Sequence, residues 1–271
     1  MSFLKLFPLL LLTFQFSLSW SFRALLISRL STIDGSEFRK LVEDLRMPEK
    51  QSIVYIPTAL YAFDKRSSKS RGEQRRRAKY DIKIKASLLS EIFDIKDIKI
   101  LDLDKDTLPE TKSEIHDIFH DASIVYVDGG NTFYLQAHIL KSNFWKHINP
   151  YLDQGCLYIG ASAGAIVAGK SVQTAYWKGW DDPDVLEQEM KWNDSTLKGR
   201  GLCDKSIFPH YHAASHRELV DRKSVDECHS VYTLSDNECL LLSCQKSIDD
   251  NHTSVDCMLT DYKPKKLRFY P

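Results

Sequence analysis

The chain has 271 residues, of which 43% are hydrophobic and 27% charged, with 37 basic and 37 acidic side chains. This length and apolar content suffice for one large α/β domain, or at most two small ones. The zero net charge excludes a global field that would attract nucleic acid or an anionic membrane. The six cysteines form no C-x-x-C pair, which argues against a zinc ribbon or a dithiol redox motif.

The first 21 residues predict a secretory signal peptide or another N-terminal extension. They contain one lysine, no acidic residue and an apolar run that begins at Phe7, followed by small serines. A mitochondrial presequence and a true start near Phe22 are the alternatives. We expect a secreted protein, or a cytoplasmic one if the extension is not a functional signal, with one domain over residues 22–271. Export would suit disulfides among the five cysteines of the last third, whereas Cys156 lies in a predicted buried strand.

Apolar runs alternate with helical patterns along the rest of the chain. Strands are predicted over residues 22–28, 52–57, 98–103, 123–128 and 156–159, and later over 230–234, 239–242 and 266–270. Helices are predicted over residues 36–45, 112–120, 165–168 and 217–226, and over the segment that follows Gly129-Gly-Asn-Thr-Phe133 through Leu140. This alternation indicates an α/β fold, with a mostly parallel sheet and helices on both faces, in which ligands bind beyond the carboxyl ends of the strands.

A basic run over residues 65–79 precedes an amphipathic pattern. The apolar positions of that pattern are Tyr80, Ile82, Ile84, Leu88, Leu89, Ile92 and Phe93. Since no aromatic residues are interleaved with the basic ones, we interpret the run as the solvated face of a long helix rather than a nucleic-acid surface.

The segment from Cys156 to Gly169 carries a G-x-S-x-G motif between a predicted strand and a predicted helix. In such an elbow the serine sits on a strained turn, which exposes its hydroxyl above the sheet. Small neighbours at Gly160 and Gly164 allow the tight turn. The motif predicts Ser162 as a nucleophile, and the alternative is a small-residue turn that serves only helix–strand packing.

A serine nucleophile needs a base and an oxyanion site. The amides of Ala163, which follows the serine, and of Gly130, which ends the neighbouring strand, are the candidate oxyanion donors. His210 follows Pro209 at a predicted strand end and is the candidate base. With His212 and His216 it also permits a metal hypothesis, but no adjacent acid supports one, and we expect neither metal nor cofactor.

A third group should orient the imidazole. Asp236 lies on a predicted turn between two strands. Asp181 and Asp182 lie in a polar excursion, over residues 173–200, that is predicted to cover the site. The residues alone leave these three candidates open.

Four motifs, read together, resemble the peptidase E family of α-aspartyl dipeptidases, with the cyanophycinases as relatives. They are Ile56-Pro-Thr-Ala59, Gly129-Gly-Asn-Thr-Phe133, Gly160-Ala-Ser-Ala-Gly-Ala165 and Pro209-His-Tyr211. The resemblance runs from about residue 22 to 242. It implies a class I glutamine-amidotransferase-like fold, which is a flavodoxin-like three-layer sandwich, with serine rather than cysteine at the elbow.

The resemblance also implies roles for single residues. Ser162 would be the nucleophile, His210 the base, and Gly130 and Ala163 the oxyanion donors. The family's acid, a glutamate, falls on Asp236, while Asp182 or Asp181 could match an aspartate found after the elbow. Arg217 falls near the family's arginine for the substrate's aspartyl carboxylate, and Asp128 stands where the family has a third glycine.

The implied activity is hydrolysis of short peptides, in particular dipeptides with an N-terminal aspartate, through an acyl-enzyme on Ser162. The expected partner is a small peptide substrate, with no nucleic acid and, after signal removal, no membrane. The sequence leaves the oligomeric state open. The alternatives are an α/β-hydrolase-type esterase that uses the same elbow, or a non-catalytic protein that has kept the fold.

Overall fold

The computed structural model describes residues 20–32, 35–104, 112–186, 190–246 and 255–262. Within these residues the strands are β1 (Trp20–Ile27), β2 (Ser52–Ile56), β3 (Asp97–Ile100), β4 (Ala122–Val127), β5 (Leu157–Ala161), β6 (Ser206–Phe208), β7 (Val231–Thr233), β8 (Cys239–Lys246) and β9 (Val255–Tyr262). The helices are α1 (Gly35–Leu45), α2 (Arg71–Phe93), α3 (Lys112–Phe119), α4 (Thr132–Ser142), α5 (Phe144–Asp153), α6 (Ala163–Ala168), α7 (Thr174–Trp177) and α8 (Ala213–Asp226).

The central sheet has the strand order β3-β2-β4-β5-β1-β8-β9. Its first five strands pair in parallel, and β8 and β9 add an antiparallel edge. The predicted mostly parallel sheet is therefore confirmed. Because β5 lies between β4 and β1, the carboxyl ends of these three strands meet in the middle of one edge, where the elbow stands.

Buried side chains cover both faces of the sheet. One face packs Leu26, Val54, Val127 and Tyr158 against α3, α4, α5 and α6. The opposite face packs Ile27, Tyr55, Tyr126 and Ile159 against α1 and α2. This alternation along each strand follows from the period of two in strand geometry, and it produces the predicted three layers.

The basic run lies on α2 from Arg71 onward, while residues 65–70 precede the helix. The buried stripe of α2 is narrower than the predicted apolar pattern. Ala78, Ile82, Leu89 and Phe93 are buried, at steps of four, seven and four residues that return to one side of the helix. Tyr80 and Ile84 are 66% and 51% exposed. They lie two residues from Ile82 and so point away from its side, and their assignment to the apolar face was wrong.

Several elements differ from the sequence prediction. The strand predicted over 98–103 ends at Ile100, although Leu101 and Leu103 are buried beyond it. The strand predicted over 230–234 is β7, which pairs with β6 in a separate two-stranded sheet. Helix α5 was not predicted, and β9 supplies the sheet edge. The strand predicted over 266–270 lies outside the described residues.

The cysteines bear on the disulfide prediction. Cys203, Cys228 and Cys239 are free thiols, so disulfides at these three positions are contradicted. Cys156 is buried, as predicted, and burial raises the pKa of its thiol to about 12.

The predicted signal peptide falls almost entirely outside the described residues, which begin with β1 at Trp20, two residues before the predicted domain start. In the described part of the chain, every helix is too short or too polar to cross a membrane.

Candidate active site

Ser162 occupies the turn between β5 and α6. Its φ of 50° and ψ of −107° place it in a sparsely populated region for a residue with a side chain, as expected at a strained elbow. Its amide donates to the carbonyl of Ile27 at the end of β1, at 2.9 Å. Gly164 makes the turn fit, because a methyl group there would lie 2.2 Å from the carbonyl oxygen of Val127. The elbow is thereby fixed against both neighbouring strands.

His210 follows β6 and reaches the elbow from the other side. Its Nε2 lies 2.9 Å from the hydroxyl oxygen of Ser162. The backbone of His210 has a φ of 55°, and its amide donates to the hydroxyl of Ser28 at 3.0 Å. Ser28 in turn donates to the carbonyl of Leu234, at 2.7 Å. A buried serine at the end of β1 thus ties the histidine to the segment after β7.

Asp236 lies on the turn between β7 and β8, as predicted. Its Oδ1 lies 2.5 Å from Nδ1 of His210, and its Oδ2 lies 3.5 Å from Nε of Arg29. Because a carboxylate only accepts, Nδ1 of His210 carries the hydrogen of this bond, which leaves Nε2 able to accept the proton of Ser162. The aspartate side chain therefore reaches the imidazole, although it is shorter than the glutamate that the resemblance implies.

The other two candidate acids form hydrogen bonds elsewhere. Asp181 accepts from the amide of Thr132 at 2.9 Å, while the carbonyl of Asp182 accepts from the side chain of Asn131 at 3.0 Å. Asp182 also accepts from the amide of Asp184 through its carboxylate. These bonds fasten the excursion to the start of α4, so Asp236 is the carboxylate that the structure brings to the imidazole.

The two candidate oxyanion amides belong to segments that adjoin Ser162. Ala163 begins α6, and Gly129, beside Gly130, comes so close that a methyl group on it would lie 3.0 Å from Cβ of Ser162. Gly130 has a φ of 136°, and a methyl group there would lie 2.4 Å from the carbonyl oxygen of Ala59. Within the described part of the chain, neither candidate amide donates to another protein group. Gly130 is exposed and Ala163 is buried, and neither amide is committed to a protein acceptor among the described residues.

Asp128, where the resemblance implies a third glycine, supports this loop. Its carboxylate accepts from the hydroxyl of Tyr55 at 2.6 Å and from the amide of Gly129 at 2.8 Å. The ammonium of Lys85 lies 3.5 Å away. The buried carboxylate is therefore both hydrogen-bonded and paired with a cation, which offsets the cost of its burial. Its bond to Gly129 restrains the loop that lies against Ser162.

The surroundings of His210 favour the neutral imidazole. Burial lowers its pKa below the ordinary value, the carboxylate of Asp236 opposes this effect, and the cations Lys178 and Arg29 add to it. A neutral imidazole near pH 7 can act as a base. The ring of Trp180 lies beside the imidazole, at 6.1 Å between centroids and tilted by 45°.

A small depression, of about 40 Å³, opens beside Ser162. The described residues that line it are Ser162, Ile166, Thr174, Ala175, Lys178, Trp180, Asp181, Pro209 and His210. Arg217 is exposed on α8 and lines a different depression, with Ala213, Ala214, Ser215 and Glu218. The structure thus brings Lys178, rather than Arg217, into the depression that contains the serine.

The three histidines of the metal hypothesis have other hydrogen-bond partners in the structure. His212 precedes α8, and its amide donates to Nδ1 of His216 at 3.0 Å, while His210 is engaged by Ser162 and Asp236. Among the described residues, no cluster of three or more histidine, cysteine, aspartate or glutamate side chains could hold a metal ion.

Sequence reasoning missed Ser28, Arg29 and Lys178. Ser28 and Arg29 directly follow β1, so the rule that ligands gather at the carboxyl ends of parallel strands was the available signal. Lys178 lies in the excursion that was predicted to cover the site, and no local pattern singles it out.

A serine elbow on a parallel sheet, bonded to a histidine that an aspartate orients, is the arrangement that serine hydrolases have reached on several unrelated folds. A family model described as Peptidase family S51 matches residues 25–249. The chain belongs to this family, and the resemblance to peptidase E is confirmed.

Individual relatives cover less of the chain. An uncharacterized peptidase of Listeria innocua (Lin0382) is 27% identical over 139 residues, which are 51% of this chain and 63% of that protein. Peptidase E of Haemophilus influenzae is 40% identical over 58 residues, 21% of this chain and 27% of that protein. The matches therefore span less than two thirds of these relatives' lengths.

A solved structure supports the fold over a longer stretch. The crystal structure of a peptidase from an acI-B1 Actinobacterium superposes with a TM-score of 0.56 at 15% identity, and covers 92% of this chain and 96% of that one. The expected glutamine-amidotransferase-like fold is thus confirmed.

Proposed function

We propose that the protein is a serine peptidase that hydrolyses short peptides through an acyl-enzyme on Ser162. The observation that carries this proposal is the pair of contacts at His210, 2.9 Å to the hydroxyl of Ser162 and 2.5 Å to the carboxylate of Asp236. Membership of Peptidase family S51 supports it independently.

In the first step, the hydroxyl oxygen of Ser162 attacks the scissile carbonyl carbon while Nε2 of His210 takes its proton. Asp236 holds the imidazole in the tautomer that this transfer requires and stabilises the imidazolium that forms. The amides of Gly130 and Ala163 donate to the oxyanion of the tetrahedral intermediate.

In the second step, the carbon–nitrogen bond breaks and His210 returns its proton to the leaving amine. Water, deprotonated by the same imidazole, then attacks the ester on Ser162 and releases the acyl group as a carboxylic acid. The serine regains its proton, so the cycle consumes one water per peptide bond.

For the substrate we propose dipeptides with an N-terminal aspartate. Relatives named Peptidase E support this proposal, as does the resemblance stated above. The small volume of the depression beside Ser162 also favours a short residue over a bulky one.

A dipeptide panel tests the proposal. Purified protein should hydrolyse Asp-Leu at a measurable rate and Ala-Leu more slowly, while Ser162→Ala, folded by circular dichroism, should hydrolyse neither. Hydrolysis of p-nitrophenyl esters without any Asp-Leu cleavage would favour the esterase. Equal Asp-Leu cleavage by wild type and Ser162→Ala would contradict the mechanism, and no cleavage of any substrate would favour the non-catalytic alternative.

A further inference from the structure

Lys178 is a half-buried cation that the proposed mechanism does not use. It follows α7, and its ammonium donates to the carbonyl of Pro209. The same ammonium lies 4.4 Å from the ring centroid of Trp180 and 4.2 Å from that of Phe208. The lysine head group is thus held in place by one carbonyl and two aromatic faces, beside the residue that precedes His210.

No carboxylate in the described part of the chain lies within 4.0 Å of this ammonium. The nearby acids Asp181 and Asp236 attract it from a longer range, but burial dominates and lowers its pKa to about 8. Removing a cation from water without an ionic partner costs free energy. The ammonium has three donors, of which Pro209 uses one, so capacity remains for an anionic group.

The position of this cation matters as much as its chemistry. Lys178 lines the depression that contains Ser162 and His210. A peptide whose scissile carbonyl contacts Ser162 must place its adjoining groups in or beside this depression. For a dipeptide these groups include the C-terminal carboxylate and, when the first residue is aspartate, a side-chain carboxylate.

We infer that Lys178 binds a carboxylate of the peptide substrate and thereby selects acidic or short peptides at the Ser162 site. The inference rests on the proposed function and names the residue that would set its specificity. It differs from the expectation for Arg217, whose guanidinium lies on the exposed face of α8. A salt bridge with the substrate would give the lysine the ionic partner that it lacks among the described residues.

The charges around the lysine set the conditions for this role. Asp181 and Asp236 favour its charged form, and the lysine itself lowers the pKa of His210 and of His216. Arg29 adds a further positive charge near His210. A substrate carboxylate therefore enters a region where Lys178 and Arg29 offset the two acids.

The test compares Lys178→Met with Lys205→Met. Lys205 is a matched control, because it is also partly exposed and lies 4.3 Å from the ring centroid of Tyr232, but outside the depression. The substrates are Asp-Leu, Asn-Leu and Asp-Leu amide, which separate the side-chain carboxylate from the C-terminal one. Loss of a charged hydrogen bond predicts a decrease in kcat/KM of about 10- to 100-fold for the substrate that carries the recognised carboxylate.

A decrease in Lys178→Met for Asp-Leu but not for Asn-Leu supports binding of the side-chain carboxylate, and a decrease for Asp-Leu but not for its amide supports the C-terminal one. An equal decrease for all three peptides would overturn the inference, since the lysine would then act only through Pro209. No decrease, or the same selective decrease in Lys205→Met or Arg217→Met, would also overturn it. Lys178→Arg keeps the positive charge and should keep the selectivity. It therefore still tests the inference if Lys178→Met fails to fold.

A binding measurement distinguishes a failure of this inference from a failure of the proposed function. In the Ser162→Ala background, isothermal titration should give a Kd for Asp-Leu that rises about 10-fold or more when Lys178→Met is added. If wild type cleaves no peptide but this rise is observed, the proposed function fails and the lysine assignment stands. If Ser162→Ala binds Asp-Leu and the second substitution leaves Kd unchanged, or if it binds none, the lysine assignment fails.

Discussion

The hydroxyl of Ser28 accepts a hydrogen bond from the amide of His210 at 3.0 Å, across 182 positions of sequence. It also donates to the carbonyl of Leu234, two residues before Asp236. One buried serine at the end of β1 therefore links the segments that carry the imidazole and its carboxylate. The carbonyl of Ile27, the last residue of β1, accepts a hydrogen bond from the amide of Ser162. The segments that carry the serine, the imidazole and its carboxylate are therefore all hydrogen-bonded to the end of β1.

Ser28→Ala should lower kcat by about tenfold with little change in KM, because the backbone of His210 loses the acceptor that positions it. It should also cost about 1–3 kcal/mol of unfolding free energy, since the partly buried amide of His210 loses its partner. The control is Ser123→Ala, which removes a buried bond to the carbonyl of Ser52 away from the site. If both variants lower kcat equally in steady-state assays, Ser28 does not position the histidine.

Asp236→Asn should lower kcat by about 10²- to 10⁴-fold, since the amide no longer selects the imidazole tautomer that accepts from Ser162. Asp182→Asn is the comparison, because its carboxylate contacts the amide of Asp184 within the excursion. Both variants are measured on the same dipeptide. If Asp182→Asn lowers kcat as much as Asp236→Asn does, the assignment of the orienting role to Asp236 is wrong.

The pH dependence of kcat/KM should report the surroundings of His210. Burial lowers its pKa below 6.5, so the rate should fall only as pH drops through a value below 6.5, where the imidazole becomes protonated and cannot act as a base. Removing the charge of Lys178 in Lys178→Met should raise that pKa and move the acid limb to higher pH. An acid limb that stays in place would show that the two groups do not interact.

The alkaline limb should report Lys178 itself, whose pKa is about 8. As pH rises through that value the ammonium loses its charge, and kcat/KM for Asp-Leu should decrease. The α-amino group of the substrate titrates in the same range, so the matched measurement is Lys178→Arg with the same peptide. The guanidinium stays charged, and this variant should keep more of its activity at pH 9 than wild type; identical limbs would contradict the assignment.

Gly130→Ala should lower kcat by at least about tenfold, because the added methyl group would displace the loop from Ala59 and with it the candidate oxyanion amide. Gly179→Ala is the control for backbone strain alone, since Gly179 also has a positive φ, of 62°, but nothing within 4 Å of the added methyl. It should cost about 1 kcal/mol of stability and leave kcat unchanged. Equal losses of kcat in both variants would mean that strain, rather than displacement of the amide, is responsible.

The sequence predicted the parallel strands within a few residues because their apolar runs are nearly continuous. Ser52–Ile56 and Ala122–Val127 are buried throughout, and such runs leave little choice of element. Helix α5 was harder, since Pro150 argues against a helix, although Phe144, Ile148 and Leu152 recur every four residues and are buried. Here tertiary packing outweighed the local signal.

The site, like the fold, was predictable where the signal is local and not where it depends on tertiary contacts. The elbow motif and the position of His210 after a strand could be predicted locally, and Asp236 could be placed on a turn but not chosen over Asp181 or Asp182. The choice depends on which turn lies beside the imidazole, and that follows from the pairing of β6 with β7. Ser28 acts across 182 positions, so no local pattern could reveal its contact with His210.

The most direct measurement of the central claim is covalent labelling of the native protein with a fluorophosphonate, followed by peptide mass spectrometry. The account predicts one adduct, on Ser162, which forms in wild type, slows by about 10²-fold or more in His210→Ala, and is absent in Ser162→Ala. An adduct on another serine, or labelling of Ser162 at the same rate with and without the imidazole, would contradict it.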